Sequence, residues 1–262
     1  MKLMILDGNS IINRAFYGVR LLSTKDGVYT NAIYGFLNIL ERLRADEQPD
    51  ALCVAFDLKA PTFRHKAYDG YKATRHPMPE ELAMQMPLMK EVLGAMNIPI
   101  YECEGWEADD ILGTVGEICT REGDDCVIVT GDRDSLQLVS EHVTVKLVTS
   151  KAGQTITTNY TPDAFRAEYG FEPVRLVDLK SLMGDSSDNI PGVSGVGPKT
   201  ATQLCSPTAR WTAFTSICRK SRSRSAKSSS ATASRHTCLM TSRPSGKTRR
   251  WSLPRNAIWC GR

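Results

Sequence analysis

Short apolar runs alternate with amphipathic segments between residues 2 and 183. The runs at 2–6, 51–56 and 126–130 predict buried strands. Between them, apolar side chains recur at helical spacing and predict two crossover helices: Ile33, Phe36, Leu37, Leu40 and Leu43 in the first, and Ala108, Ile111, Leu112, Val115 and Ile118 in the second. This alternation is typical of an α/β fold with a mostly parallel central sheet flanked by helices.

The segments after the third predicted strand predict a hairpin of two strands and two further helices. Residues 143–148 and 154–158 flank a Lys-Ala-Gly turn and predict a β-hairpin. Residues 162–169 and 174–183 predict two further helices. At the N-terminus, the first apolar run ends at Asp7 and is too short for a signal-peptide core or a membrane span. We therefore expect a cytoplasmic protein.

Acidic residues stand at the ends of the predicted strands. Asp7 follows the first strand, Asp57 the second, and Asp132 and Asp134 the third. Ligand sites in open parallel sheets form beyond the carboxyl ends of the strands, so these four side chains should share one edge. Five more acids stand at helix ends: Glu107, Asp109 and Asp110 at the start of the second crossover helix, and Asp185 and Asp188 after the last predicted helix.

Each acid alone has an ordinary structural explanation. An Asp after a strand often forms a turn or caps a helix, and acids in a first helical turn are favoured by the helix dipole. Nine converging carboxylates, however, would repel one another and raise each other's pKa unless cations neutralised them. Oxygen ligands without a His or Cys cluster favour Mg²⁺ or Mn²⁺ over zinc. Two such ions are suited to the hydrolysis of a phosphodiester.

Cations and aromatic residues are interleaved between residues 59 and 78. The segment contains Phe63-Arg64-His65-Lys66 and, further on, Tyr71, Lys72 and Arg75. Cations can hold backbone phosphates while an aromatic ring stacks on an unpaired base, so the pattern is typical of single-strand binding. A solvated surface loop can have the same composition. The acidic cluster elsewhere in the chain favours nucleic acid as the ligand.

Glycines punctuate residues 190–201, which read IPGVSGVGPKTA. Gly192, Gly195 and Gly197 would let backbone N–H groups approach a phosphate, and Lys199 stands at the start of a proline-initiated helix. A tight turn between two helices, without any ligand, would have a similar composition. The two acids just upstream favour a clamp that binds duplex DNA.

Acidic and basic residues are unevenly distributed along the chain. The net charge is +4, but all 29 acidic residues lie at or before Asp188, and 13 of the 33 Lys and Arg lie beyond residue 204. Residues 205–262 also scatter Trp and Cys without helical or strand period. Three interpretations are a disordered basic arm, a small basic domain and translation of a wrong reading frame, and the Trp and Cys content favours the last.

The cysteines up to Cys126 follow no metal-ligand or redox spacing and are expected to be reduced thiols.

Six motifs stand in a fixed order along residues 1–204: LDGNS at 6–10, FD at 56–57, YK at 71–72 with Arg75, EADD at 107–110, TGDRD at 130–134 and LMGDSSDNIPG at 182–192. In this combination the chain resembles the 5′ nuclease domain found at the front of bacterial DNA polymerase I, a family related to the flap endonucleases. The resemblance implies a PIN-like catalytic domain at 1–172, with a helical arch. It also implies a partial helix-three-turn-helix DNA-binding region at 173–204, and it leaves 205–262 unmatched.

The resemblance also implies roles for individual residues. Two Mg²⁺ or Mn²⁺ ions would be surrounded, in part through water, by Asp7, Asp57, Glu107, Asp109, Asp110, Asp132, Asp134, Asp185 and Asp188, with Asp109 required for cleavage. Lys72 and Arg75 would stabilise the scissile phosphate, Tyr71 would stack on a base and Arg14 would contact a phosphate. Gly192, Gly195, Gly197 and Lys199 would belong to the duplex clamp, which in this family often binds K⁺.

Three functions are open at this point. The leading hypothesis is a structure-specific 5′-3′ exonuclease and flap endonuclease, the N-terminal part of a DNA polymerase I in replication and repair. It would act as a monomer on DNA with 5′ flaps, nicks or 5′ ends, without a membrane partner. A PIN-like ribonuclease would share the acids but has less need of a duplex clamp. A non-catalytic DNA-binding fragment would not need a complete acidic set.

Overall fold

The strands are β1 (Lys2–Asp7), β2 (Ala51–Ala55), β3 (Ile100–Tyr101), β4 (Asp125–Thr130), β5 (Val143–Lys151) and β6 (Gln154–Tyr160). They form one six-stranded sheet in the order β3-β2-β1-β4-β5-β6. Neighbouring strands are parallel except β5 and β6, which pair as an antiparallel hairpin. Because β1, β2 and β4 run in the same direction, their carboxyl ends meet at one edge of the sheet.

The α-helices are α1 (Gly8–Gly18), α2 (Asn31–Glu47), α3 (Phe63–Ala67), α4 (Glu80–Ala83), α5 (Gln85–Ala95), α6 (Ala108–Glu122), α7 (Pro162–Tyr169), α8 (Leu176–Met183) and α9 (Pro198–Cys205). This computed structural model describes residues 1–151 and 154–206. They belong to two units, one of residues 1–60 and 77–162 and the other of residues 61–76 and 163–206. The basic tail predicted from the sequence lies, from residue 207 onward, outside the described residues.

In the first unit, both faces of the sheet are apolar, as expected for parallel strands covered by helices. Met4 of β1 and Val129 of β4 belong to a core cluster on the face that also contains Phe36 of α2. Ile128, which alternates with these positions along β4, lies on the other face near Gly116 of α6. Helices packed on both faces therefore fix the positions of the strand ends.

A buried pair of amides joins three helices of this unit. Gln85 of α5 is 1% exposed, and its Oε1 accepts hydrogen bonds from the N–H groups of Ala32 at 2.9 Å and Ile33 at 3.3 Å. Its Nε2 donates to Asn31 Oδ1 at 3.0 Å, and Asn31 Nδ2 donates to the Phe16 carbonyl of α1 at 3.1 Å. Since first-turn N–H groups lack intrahelical partners, the Gln85 side chain caps α2 and ties it to α5, while Asn31 ties α2 to α1.

In the second unit, α8 and α9 flank the glycine-rich segment. Two short strands between them, β7 (Gly184–Asp185) and β8 (Ile190–Pro191), pair in antiparallel orientation. The basic and aromatic segment between residues 59 and 78, which contains Tyr71, Lys72 and Arg75, includes α3, followed by turns at residues 69–74. This unit therefore contains a helix, a glycine-rich turn region and a second helix, in the order that the sequence predicts.

Most of the predicted elements are confirmed. The three predicted strands, the hairpin and the crossover helices are present, and α7 has the predicted bounds. The helix predicted at 174–183 is divided, with a 3₁₀ turn at Pro173–Arg175 before α8. The sequence analysis did not identify α1, α5 or β3. Among the described helices, none combines the length and the apolar character needed to cross a membrane.

Candidate active site

Asp7 connects the first strand to the first helix. It is the last residue of β1 and the N-cap of α1, and its Oδ1 accepts a hydrogen bond from Ser10 N at 3.0 Å. Its Oδ2 accepts from Thr130 Oγ1, at the end of β4, at 2.8 Å. Asp7 is only 6% exposed. Burial, together with the negative charges of Asp57 and Asp132, raises the pKa of its carboxyl to about 6, although the hydrogen bonds from Ser10 and Thr130 oppose the shift.

Asp57 and Asp132 follow the two strands that flank β1. Asp57 Oδ1 accepts from Ala108 N, the first residue of α6, at 2.7 Å. Asp132 Oδ1 accepts from Asp134 N at 2.9 Å, and Asp132 N donates to Thr130 Oγ1 at 3.0 Å. Each carboxylate is therefore held by a backbone N–H of a neighbouring turn or helix start.

The N-terminus of α6 brings three acids to the same edge. Glu107 is the N-cap and forms a capping box with Asp110, whose Oδ2 accepts from Glu107 N at 3.0 Å. Half-buried Asp109 accepts from Ser135 Oγ at 3.3 Å. Burial raises the pKa of Asp109 well above its ordinary value, and the charges of four other acids raise it further: Asp7, Asp132, Asp57 and Glu107. These five carboxylates thus form one electrostatically coupled cluster.

The chemistry of this cluster fits hard divalent cations. All its donors are oxygens, and the repulsion that raises the pKa of Asp109 would be relieved by a cation. Within residues 1–151 and 154–206, no group of three or more His, Cys, Asp or Glu is arranged to hold an ion by itself. Mg²⁺ usually keeps several of its waters and binds through one or two carboxylates. The oxygen chemistry of the cluster therefore fits Mg²⁺ or a similar ion, with Asp7, Asp57, Asp109 and Asp132 as candidate donors.

The raised pKa of Asp7 predicts a pH-dependent stability in the metal-free protein. An aspartate in an unfolded chain has a pKa near 3.9, so folding takes up a proton at Asp7 between that value and about 6. The stabilisation is complete below the unfolded pKa and is lost as the pH rises through about 6. Since one pKa unit corresponds to about 1.4 kcal/mol and the window from pH 5 to 7.5 contains about one unit of the titration below pH 6, the free energy of unfolding in EDTA should fall by about 1.4 kcal/mol across it.

Urea denaturation across this pH range measures the effect. Asp7→Asn keeps an acceptor for Ser10 N but has no charge to titrate, so its stability should depend less steeply on pH. A pH profile of Asp7→Asn parallel to that of the wild-type protein would contradict this interpretation.

Two further predicted ligands belong to the second unit. Asp185 is 7% exposed and accepts from Lys180 Nζ at 3.0 Å and from Ser187 N at 2.8 Å. Although burial opposes it, these donors and the positive charge of Lys180 hold the pKa of Asp185 well below its ordinary value. Asp188 Oδ1 accepts from Arg75 Nη2 at 2.6 Å. Each acid of this pair is therefore matched with a cation of its own unit.

The segment predicted to contact a single strand is tied to the Asp188 region. Lys72 has a left-handed backbone conformation, with φ at 56°, and its N–H donates to the Asp188 carbonyl at 3.0 Å. Tyr71 is 5% exposed, with its ring edge-on to His65 at a centroid distance of 5.0 Å. The tyrosine ring would have to leave this contact before it could stack on a base.

The predicted duplex clamp contains glycines of three different kinds. A Cβ at Gly192 would lie within 3.0 Å of the Met183 backbone, closer than real Cβ contacts. Gly195 has a φ of 82°, which favours glycine, whereas a Cβ at Gly197 would meet nothing within 4 Å. Lys199 lies in the first turn of α9. Of these three glycines, Gly197 alone therefore lacks a structural need to be glycine.

Three hydroxyl and guanidinium groups complete the first unit's site. Arg14, predicted as a phosphate contact, donates from Nη2 to the Gly131 carbonyl at 2.7 Å. Ser10 and Thr130 were not singled out by the sequence analysis, although their hydroxyls bond to the backbone of Gly131 and Asp132 and to the carboxylate of Asp7. Their positions inside the LDGNS and TGDRD motifs were the available signal.

Comparison with known proteins identifies the family. The family profile described as "5'-3' exonuclease, N-terminal resolvase-like domain" matches residues 2–170, and the profile described as "5'-3' exonuclease, C-terminal SAM fold" matches residues 171–234. The chain belongs to the 5′-3′ exonuclease family. Membership of this family accounts for the α/β fold and for the acids at the carboxyl edge of the sheet. The second profile extends into the basic stretch that begins at residue 205.

The 5′-3′ exonuclease relatives include much longer proteins. DNA polymerase I of Bacillus caldotenax is 49% identical over 203 residues, which are 78% of this chain and 23% of that protein. DNA polymerase I of Bacillus subtilis is 46% identical over 203 residues, again 78% of this chain and 23% of that protein. The chain thus spans about a quarter of the length of these relatives.

The fold is that of the flap endonucleases. A bacteriophage T5 flap endonuclease, solved as a pseudo-enzyme-product complex with DNA and metal ions, superposes with a TM-score of 0.67 at 19% identity, covering 92% of this chain and 89% of that chain. A T5 5′-exonuclease structure contains bound divalent metal ions, there zinc, with a TM-score of 0.68 at 19% identity, covering 92% of this chain and 89% of that chain. Structures of the same fold therefore bind divalent ions.

Proposed function

We propose that this chain is a divalent-metal-dependent 5′-3′ exonuclease and flap endonuclease that hydrolyses phosphodiester bonds of DNA. The coupled carboxylates at the carboxyl edge of β1, β2 and β4 are the observation that carries the proposal, because repelling acids at this place suit a site that binds cations. Family membership and the likeness to polymerase I relatives support DNA as the substrate.

The protein's residues would act by holding ions, phosphates and the DNA duplex. Asp7, Asp57, Asp109 and Asp132 would bind two Mg²⁺ or Mn²⁺ ions directly or through water, with Glu107, Asp110, Asp134, Asp185 and Asp188 around them. When bound, such ions activate water and neutralise the charge that develops on a phosphodiester. Arg14, Lys72 and Arg75 would supply positive charge to the phosphate. The segment from Gly192 to Lys199 would hold the duplex backbone and a K⁺ ion.

The likeness to DNA polymerase I supports a proposal for the biological setting. We place the chain at the N-terminus of a DNA polymerase I, where it would act in the cytoplasm as a monomer. Its substrates would be DNA molecules with 5′ flaps, nicks or 5′ ends that arise in replication and repair. Residues 1–172 would form the catalytic domain and residues 173–204 part of the duplex clamp.

A cleavage assay on matched substrates tests the proposal. The purified full chain is incubated with 5′-labelled flap DNA, nicked duplex DNA and RNA of the same sequence, in Mg²⁺ and in EDTA. We expect short labelled products from both DNA substrates in Mg²⁺ and no cleavage in EDTA. Cleavage of the RNA with the DNA left intact would establish a ribonuclease instead, and binding of DNA without cleavage in Mg²⁺ or Mn²⁺ would establish a non-catalytic DNA-binding protein.

A further inference from the structure

Gly131, directly after β4, is hydrogen-bonded to two residues of α1. Its N–H donates to Ser10 Oγ at 2.9 Å, and its carbonyl accepts from Arg14 Nη2 at 2.7 Å. Thr130 and Asp132 on either side of it bond to each other, and Thr130 also bonds to Asp7. The peptide groups around Gly131 therefore connect the arginine of α1 to the acidic edge of the sheet.

The Arg14 side chain occupies the space that a side chain at Gly131 would need. A Cβ at Gly131 would lie within 3.0 Å of Arg14 Nε and Cδ, and 2.8 Å from Ser10 Oγ. Gly131 does not need glycine for its backbone, since it is absent from the glycines of positive φ in the described chain. The glycine is thus explained by the arginine that lies across it and not by the conformation of the turn.

We propose that Gly131 is a positioning residue for Arg14: its missing side chain lets the guanidinium lie against the 130–132 turn, beside the coupled carboxylates. The inference rests on the proposed function, in which Arg14 supplies positive charge to a phosphate. The two Arg14 atoms that alanine would displace lie toward the far end of a flexible side chain, and Ser10 Oγ would have to shift slightly as well, so Gly131→Ala should move the guanidinium without breaking the fold.

The buried Nε of Arg14 makes this position unusual. Within the described residues this N–H has no hydrogen-bond partner. Buried donors without partners are rare because each costs about 1–3 kcal/mol. Arg14 Nη2 compensates part of this cost through the Gly131 carbonyl, and a Cβ at Gly131 would remove that support.

A double-mutant cycle separates positioning from a general structural role. Gly131→Ala, Arg14→Ala and the double variant are compared with the wild-type chain in single-turnover cleavage of flap DNA. A misplaced charged group should slow the reaction by about 10-fold or more, because displacements near 1 Å can cost about 100-fold. We expect Gly131→Ala to be slow by this factor in the presence of Arg14 and to cost much less in the Arg14→Ala background, where the collision with Arg14 is gone and only the close approach to Ser10 Oγ remains.

Two controls separate the expected effect from a loss of folding and from the cleavage reaction. Gly94→Ala, in α5, places a Cβ where nothing lies within 4 Å, so it should leave the rate unchanged and should not lower the melting temperature, since a helix favours alanine over glycine. The same cycle is measured as affinity for flap DNA in EDTA, and the Arg14 Nε–H resonance, identified by its loss in Arg14→Ala, should shift in Gly131→Ala but not in Gly94→Ala.

The inference is overturned if the losses of the two single variants multiply in the double variant, if Arg14→Ala is fully active, or if the Arg14 resonance is the same in Gly131→Ala and wild type. Failure of the wild-type chain to cleave any DNA would instead reject the proposed function. In that case the resonance measurement still decides whether Gly131 positions Arg14.

Discussion

Asp109→Asn is expected to abolish Mg²⁺-dependent cleavage and, at the same time, to stabilise the metal-free protein. The Asp109 carboxylate is held close to four other acids that raise its pKa, so an amide of the same shape removes repulsion. Loss of residues that only support metal ligands costs about 10–100-fold in activity, and loss of a ligand should cost more than about 100-fold. In EDTA at pH 7.5, the melting temperature should rise by about 2–4 °C, the shift that about 1 kcal/mol produces in a chain of this size.

Thermal denaturation in EDTA and the flap-cleavage rate in Mg²⁺ measure the two effects. Asp46→Asn is the matched control, because Asp46 is an exposed acid of α2 and its substitution should change neither quantity. A lower melting temperature for Asp109→Asn would show that the carboxylate contributes favourable contacts that outweigh the repulsion. Unchanged cleavage would remove Asp109 from the set of metal ligands.

The central strands could be predicted because their sequences are typical of one kind of element, a buried strand. β1, β2 and β4 are short apolar runs buried on both faces, and each ends at an acid or two residues before one. Helix α1 was not identified because its first residues, Gly8 and Asn9, are typical of turns. The structure explains the glycine: a Cβ at Gly8 would collide with the Phe56 ring, so close packing and not a turn requires it.

The acidic residues of the candidate site could be predicted from the sequence, but the residues that contact the site's side chains could not. The order of strands puts Asp7, Asp57 and Asp132 at one edge of any parallel sheet, and sequence spacing is enough to see this. The burial of Tyr71 could not be seen, because a basic and aromatic segment gives no sign that its tyrosine packs against His65. Contacts between distant segments, such as Thr130 with Asp7 and Arg14 with Gly131, depend on register between elements and are fixed only by the three-dimensional packing.

Gly192→Ala is expected to damage both stability and DNA binding, whereas Gly197→Ala should leave stability intact. At Gly192 the added Cβ would collide with the backbone of Met183 and Gly184, which cannot move without separating β7 from β8. Overpacking of this kind costs about 1–3 kcal/mol or more, and at about 2–4 °C per kcal/mol the melting temperature should fall by several degrees. At Gly197 the same methyl group enters open space, with an ordinary φ of −94°.

This pair of variants tests whether duplex DNA approaches the glycine-rich segment. The affinity for a nicked duplex is measured in EDTA together with the melting temperature. If a phosphate approaches the start of α9 as closely as a helix N-terminus permits, the methyl group of Gly197→Ala should weaken binding by about 10-fold, roughly 1.4 kcal/mol, at an unchanged melting temperature. Equal affinity for Gly197→Ala and wild type would place the duplex backbone away from Gly197, and the glycines of this segment would then be explained by the packing of Gly192 and the positive φ of Gly195 alone.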